Sequence, residues 1–147
     1  MASTISPTEA PASELAPEAF DADDLAMQDR SLVFCVAGRV YACPVSAVRE
    51  VVPLARVARL PGAPVSILGL INVRGSIITV VHAGEVLHPG APARVQTMVL
   101  VVDVGERGVG LAVERVADVR ALRADEGYTE LDVRAVVTRV VAILEDE

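Results

Sequence analysis

Ala42-Cys43-Pro44-Val45-Ser46-Ala47-Val48-Arg49-Glu50-Val51 returns, in outline, as Gly110-Leu111-Ala112-Val113-Glu114-Arg115-Val116-Ala117-Asp118-Val119. Val45, Val48 and Val51 become Val113, Val116 and Val119, and each block follows an apolar run, a glycine turn and a second apolar run. Repetition of this kind marks a duplicated supersecondary unit. The simplest physical account is two similar small barrels packed together, each too small to bury enough surface alone.

Working outward, the segments around both blocks read as strands. Leu32-Val33-Phe34-Cys35-Val36 and Val40-Tyr41-Ala42-Cys43-Pro44-Val45 flank Ala37-Gly38-Arg39, the pattern of a hairpin. Thr97 to Val104 and Val109 to Val113 flank Gly105-Glu106-Arg107-Gly108 in the same way. Between them, Ile67 to Val73 and Ser76 to Val81 flank Arg74-Gly75, a third hairpin. Ser46 suits the N-cap of a short helical turn over Ala47–Val52, with an irregular strand as the alternative. Ala83 to Leu87 reads as one helical turn closed by His88-Pro89-Gly90, and Gly90-Ala91-Pro92-Ala93 reads as a linker. The expected class is all-β, with approximate halves 31–90 and 95–147.

Composition supports a strand-rich interior. Of the 147 residues, 52% are hydrophobic, 3% are aromatic and none is tryptophan, so the core is aliphatic and rich in valine, a strand former. The net charge of −7 belongs to the leader: residues 1–29 hold seven acids and no base, while the rest balances thirteen acids against thirteen arginines. Residues 1–30, rich in Ala, Pro and acids, read as a disordered tail in which Leu25-Ala26-Met27 is the one candidate for a helical contact. No basic stripe or aromatic platform suits nucleic acid. No apolar run approaches the about 20 residues a membrane helix needs, and no secretory signal opens the chain, so the expected location is cytoplasmic.

Constellations for catalysis are thin. Two histidines, His82 and His88, do not make a zinc site, and no nucleophile elbow or Walker loop appears. Cys35 and Cys43 alternate within apolar runs and read as inert core thiols. Catalytic residues, metals and cofactors are therefore expected to be none, with a small Cys/His enzyme as a remote alternative. Glu50 and Arg74 stand out as charges set in apolar surroundings. Such charges need partners, and the planar fork of arginine suits a carboxylate, so the two are expected to form a structural salt bridge.

Several of these stretches together resemble the CheW-type chemotaxis coupling proteins and the regulatory domain of the CheA kinase. They are the opening hairpin, Val48-Arg49-Glu50-Val51, Arg59-Leu60-Pro61-Gly62-Ala63-Pro64 with Ile67 through Gly75 and Ile78-Thr79-Val80-Val81, and Val109 through Val116. The resemblance covers roughly residues 31–147 and weakens beyond about 120. It implies two five-stranded SH3-like barrels around a shared core, with short helical turns. It also implies a non-catalytic adaptor bridging the cytoplasmic tips of methyl-accepting chemoreceptors to a CheA-type histidine kinase, recruited to receptor arrays without membrane insertion. By resemblance, Val48, Gly69, Asn72, Arg74 and Gly75 fall at receptor- or kinase-binding positions, joined by Val99 and Gly110. Gly69 would let a receptor helix approach the backbone.

The chain departs from the family in three places. His82 stands where an aspartate is usual, Gly84 interrupts the following turn, and Tyr128 to Arg139 is shorter than the usual linker and final hairpin, with any terminal helix truncated at Glu147. These departures keep open a second reading: a CheW-fold scaffold in another motility or signalling pathway.

Overall fold

A computed structural model describes residues 30–92, 94–123 and 126–145, with side chains described as far as 142. The leader with its Leu25-Ala26-Met27 lies outside the described residues, as does Ala93 of the linker.

Among the described residues, nine strands form two sheets. The first sheet runs β8-β1-β2-β9, from β1 (Ser31–Val36), β2 (Arg39–Pro44), β8 (Arg115–Arg120) and β9 (Thr129–Glu130). The second runs β3-β6-β7-β5-β4, from β3 (Glu50–Pro53), β4 (Ile67–Val73), β5 (Ser76–His82), β6 (Met98–Val104) and β7 (Arg107–Val113). Two helices follow parallel-paired strands: α1 (Ala83–Leu87) after β5 and α2 (Val133–Glu145) after β9. The all-β class is the observed one.

The three expected hairpins form at their expected turns. Ala37-Gly38 and Arg74-Gly75 both sit at positive φ, 53° and 76° in the first and 52° and 86° in the second. Two-residue turns of this hand match the twist of the paired strands. Residues 47–52 do not make a helix. One 3₁₀ turn at Val45–Ala47 leads directly into β3, because Val48 is already extended.

The repeated blocks are the two crossovers between the sheets. The first block leaves β2 and enters the second sheet as β3, which pairs with β6; the second leaves β7 and enters the first sheet as β8, which pairs with β1. Each half thus lends a strand to the other's hairpin. The sheets accordingly do not follow the halves 31–90 and 95–147: the first sheet draws on both ends of the chain. The correspondence continues further. Thr79 of β5 lies opposite Val109 in parallel pairing, and Thr129 of β9 lies opposite Tyr41, the residue that matches Val109 in the repeat. His82 then caps α1 by accepting from Glu85 N–H at 3.3 Å, and Asp132 caps α2 by accepting from Ala135 N–H at 3.1 Å. Among the described residues the first sheet has no counterpart of β4, and its copy of β5 is reduced to two residues.

The sheets share one core. Leu32, Phe34, Val36, Tyr41 and Cys43 meet Leu100, Val102, Val109, Leu111 and Val113 there. A second cluster, with Ile71, Val73, Ile78, Val80, Val99, Val101 and Ala112, belongs to the second sheet alone.

The end of the chain corrects an expectation. Val133 to Glu145 is not a shortened hairpin but a helix of 13 residues. Val133, Val136, Val137, Val140 and Val141 are its buried positions, a helical spacing that seats one face in the shared core against β6 and β7. Valine's strand preference is overridden because the tertiary contacts reward that stripe.

Candidate functional site

The site builds up from Glu50. It begins β3, one edge of the second sheet, while Arg74 sits in the turn after β4, the opposite edge. Arg74 Nη2 lies 3.2 Å from Glu50 Oε1, so the expected ion pair is present and ties the two edges together. The second sheet is therefore curled toward closure, consistent with Val52 and Leu54 packing on the same cluster as Val57 and Leu68. The surroundings differ from the expectation of two half-buried charges: Glu50 is mostly covered, but the Arg74 side chain is 81% exposed. An ion pair this open contributes about 0–1 kcal/mol.

Two residues that the sequence did not single out extend the pair. Arg49 Nη1 reaches Asp103 Oδ1 of β6 at 3.2 Å, and Arg49 Nε lies 4.0 Å from Glu50 Oε2. The result is a string of alternating charges, Asp103, Arg49, Glu50 and Arg74. Arg49 crosses over Gly108, where a side chain would strike its guanidinium. The sequence signal for Asp103 is that it is the one charge in the otherwise apolar β6.

The turn itself is braced. Asn72 Oδ1 accepts from Gly75 N–H at 2.9 Å. Arg74 occupies the left-handed region, where Gly, Asn and Asp are at ease and arginine is not. A strained residue that is also highly exposed is a candidate contact residue. Asn72, Arg74 and Gly75 are exposed, and Val48 is half-buried against the shared core.

The other three positions lie inside the second sheet. Gly69 is buried at φ 151°, and a Cβ there would lie 2.5 Å from Ala58 O and 2.6 Å from Val57 Cγ1. The space it leaves is filled by the chain's own strap, because Ala58 and Leu70 exchange two backbone hydrogen bonds of 2.8 Å. It makes room for Val57 and Ala58, not for a receptor helix. Val99 is fully buried, and a Cβ on Gly110 would meet Val99 Cγ1 at 2.6 Å. Both are core contacts of the second sheet and present no surface.

The titratable groups considered for chemistry have structural partners. Tyr41 Oη and His88 Nε2 are 2.5 Å apart, and His82 caps α1. A cavity of about 60 Å³ beside them is lined by His82, Glu85, His88, Arg94, Gln96 and Glu114 among others. Among the described residues no three His, Cys, Asp or Glu side chains are placed to hold a metal ion, and no helix is long and apolar enough to cross a membrane. Cys35 and Cys43 are both buried and unbridged. Burial pushes the Cys43 thiol up to about 11, away from nucleophilic use near neutrality. Native protein at pH 8 is therefore expected to react with a thiol reagent only at its unfolding rate, with both cysteines labelling promptly in denaturant. Fast labelling of Cys43 in the native state would refute this. Glu126 is held below the usual carboxylate range by the hydrogen bond from Arg120, which ties the end of β8 to the loop before β9.

Comparison with known proteins agrees with this architecture. The chain is similar to the chemotaxis protein CheW of Klebsiella aerogenes, 29% identical over 96 residues covering 65% of this chain and 58% of that protein. It is similar to the chemotaxis protein CheW of Rhizobium meliloti, 32% identical over 89 residues covering 60% of this chain and 57% of that protein. The chain spans less than three fifths of the length of both. Among solved structures it resembles the scaffolding protein TtCheW from Thermoanaerobacter tengcongensis, with a TM-score of 0.59 and 26% identity over 67% of this chain and 64% of that one. The family model for the CheW-like domain matches residues 30–146, which takes in both sheets, both crossovers and both helices, and so this chain belongs to the CheW-like domain family.

Proposed function

We propose that this chain is a non-catalytic adaptor that couples the cytoplasmic tips of methyl-accepting chemoreceptors to a CheA-type histidine kinase in bacterial chemotaxis. It would work in the cytoplasm, recruited to membrane-associated receptor arrays. The observation that carries the reading is the charge string ending in Arg74, which a braced hairpin holds in a strained and exposed conformation on the more complete of the two sheets. Family membership and the relatives' names support the same reading.

The test is co-sedimentation with receptor-containing membranes and the kinase. Arg74→Asn separates contact from fold: asparagine suits the left-handed turn, so melting temperature is expected to stay within about 2 °C while partner retention falls at least fivefold. Arg74→Ala is expected to lose both the ion pair and retention. If neither variant changes retention, the assignment of Arg74 fails; if the unaltered chain sediments with neither partner, the coupling function fails.

One observation favours a second reading, a CheW-fold scaffold serving another motility or signalling pathway. The first sheet is reduced to four strands, so any contact made by a full second barrel is altered. Pull-down from the source cells separates the two readings by the receptor and kinase recovered.

A further inference from the structure

The internal repeat defines a place that is filled in one sheet and, among the described residues, vacant in the other. In the second sheet, β4 pairs along β5 and brings Ile71 and Val73 into that sheet's own cluster. In the first sheet the matching position, outside β9, has no strand among the described residues. Thr129 and Glu130 of β9 are exposed, as are most residues of β8 at the other edge. The second sheet's outer edge is also strapped by Ala58, whereas no such bridge covers β9. An uncovered strand edge is a ready template for another chain.

A groove of about 440 Å³ continues this edge, lined by Pro44, Ala47, Glu130, Leu131, Asp132 and Val133. Its lining combines four apolar residues with two carboxylates. Asp132 is engaged as the cap of α2, and Glu130 has no ion-pair partner among the described residues. This acidic lining disfavours the leader, which holds seven acids and no base over residues 1–29, and favours a cationic visitor.

We propose that the open edge of β9 and its groove bind an extended segment of a partner protein, with alternating β-branched residues and flanking arginines or lysines, which adds as the missing fifth strand of the first sheet. The outward-facing backbone of Glu130 and the apolar lining of the groove supply the affinity, and the Glu130 carboxylate selects the charge of the flanks. The inference is independent of the Arg74 surface, which lies on the other sheet.

The probe is a peptide with this chain's own Ile67–Val73 sequence and two arginines added at each end, titrated into the full chain and followed by backbone amide NMR. Shifts are expected to be confined to residues 39–44 and 129–133, with a Kd of tens of micromolar. A glutamate-flanked peptide is expected to bind at least tenfold more weakly, and a peptide with a central proline not measurably. Glu130→Arg should reverse the preference between the two flanks while leaving the spectrum of the second sheet unchanged. Absence of shifts at 129–133 with millimolar peptide would overturn the proposal, as would equal binding of the proline peptide. Concentration-dependent changes at 129–133 without peptide would overturn it in favour of a second copy of this chain.

Discussion

Phe34→Ala is expected to lower the free energy of unfolding by about 3–5 kcal/mol, close to half the total stability of an ordinary domain. Phe34 is fully buried in β1, stacks on Tyr41 with ring centroids 6.1 Å apart, and stands where the first sheet meets the second. The one ring beside it, Tyr41, is tethered through its hydroxyl to His88, and most other surrounding groups are aliphatic and led by stiff valines, so the void stays open. The reciprocal strand exchange adds a qualitative expectation. Because β3 pairs with β6 and β8 pairs with β1, neither sheet can unfold without removing a strand from the other. Denaturation followed by far-ultraviolet circular dichroism and by amide exchange in the second sheet should therefore show one shared transition, displaced to lower denaturant in the variant. Two separate transitions, with the second sheet unaffected, would refute the single shared core.

Gly69→Ala is expected to cost about 2–4 kcal/mol, combining left-handed strain with overpacking of a filled site. The clash is with the backbone oxygen of Ala58, which no rotamer change can relieve, so the strap should lift and the amides of Ala58 and Leu70 should exchange faster. The outcome discriminates between two roles for this glycine. Loss of stability, with normal partner retention by the remaining folded protein, supports the internal role. Unchanged stability with lost retention would restore Gly69 as a docking position.

Much of this fold is legible along the chain because its contacts are local or periodic. The hairpin turns need only neighbouring residues, and Ala37-Gly38, Arg74-Gly75 and Gly105 mark them openly. The crossovers are legible as a repeat because the same physical task, leaving one sheet for the other, is done twice by the same valine spacing. Glu50 and Arg74 could be paired because each is an isolated charge in apolar sequence. Arg49 and Asp103 escaped notice because their pairing depends on β3 lying beside β6, a contact between segments about fifty residues apart. The burial of Gly69 and Gly110 is not legible in sequence, because a glycine that admits a partner and one that admits its own chain look identical there. The valines from 133 onward were not read as a helix, although the spacing Val133, Val136, Val137, Val140 and Val141 and the cap residue Asp132 were both present.

By itself, then, the amino-acid order determined the strand class, the turns, the duplication and the candidate ion pair, since each rests on residue type and short-range spacing. Only the tertiary structure decided that the halves exchange strands, that the last valines coil into a helix, that one sheet curls toward closure while the other, among the described residues, keeps an uncovered edge, and which glycines are surface. Those outcomes depend on which distant segments can bury one another's apolar faces, and burial is a property of the assembled chain.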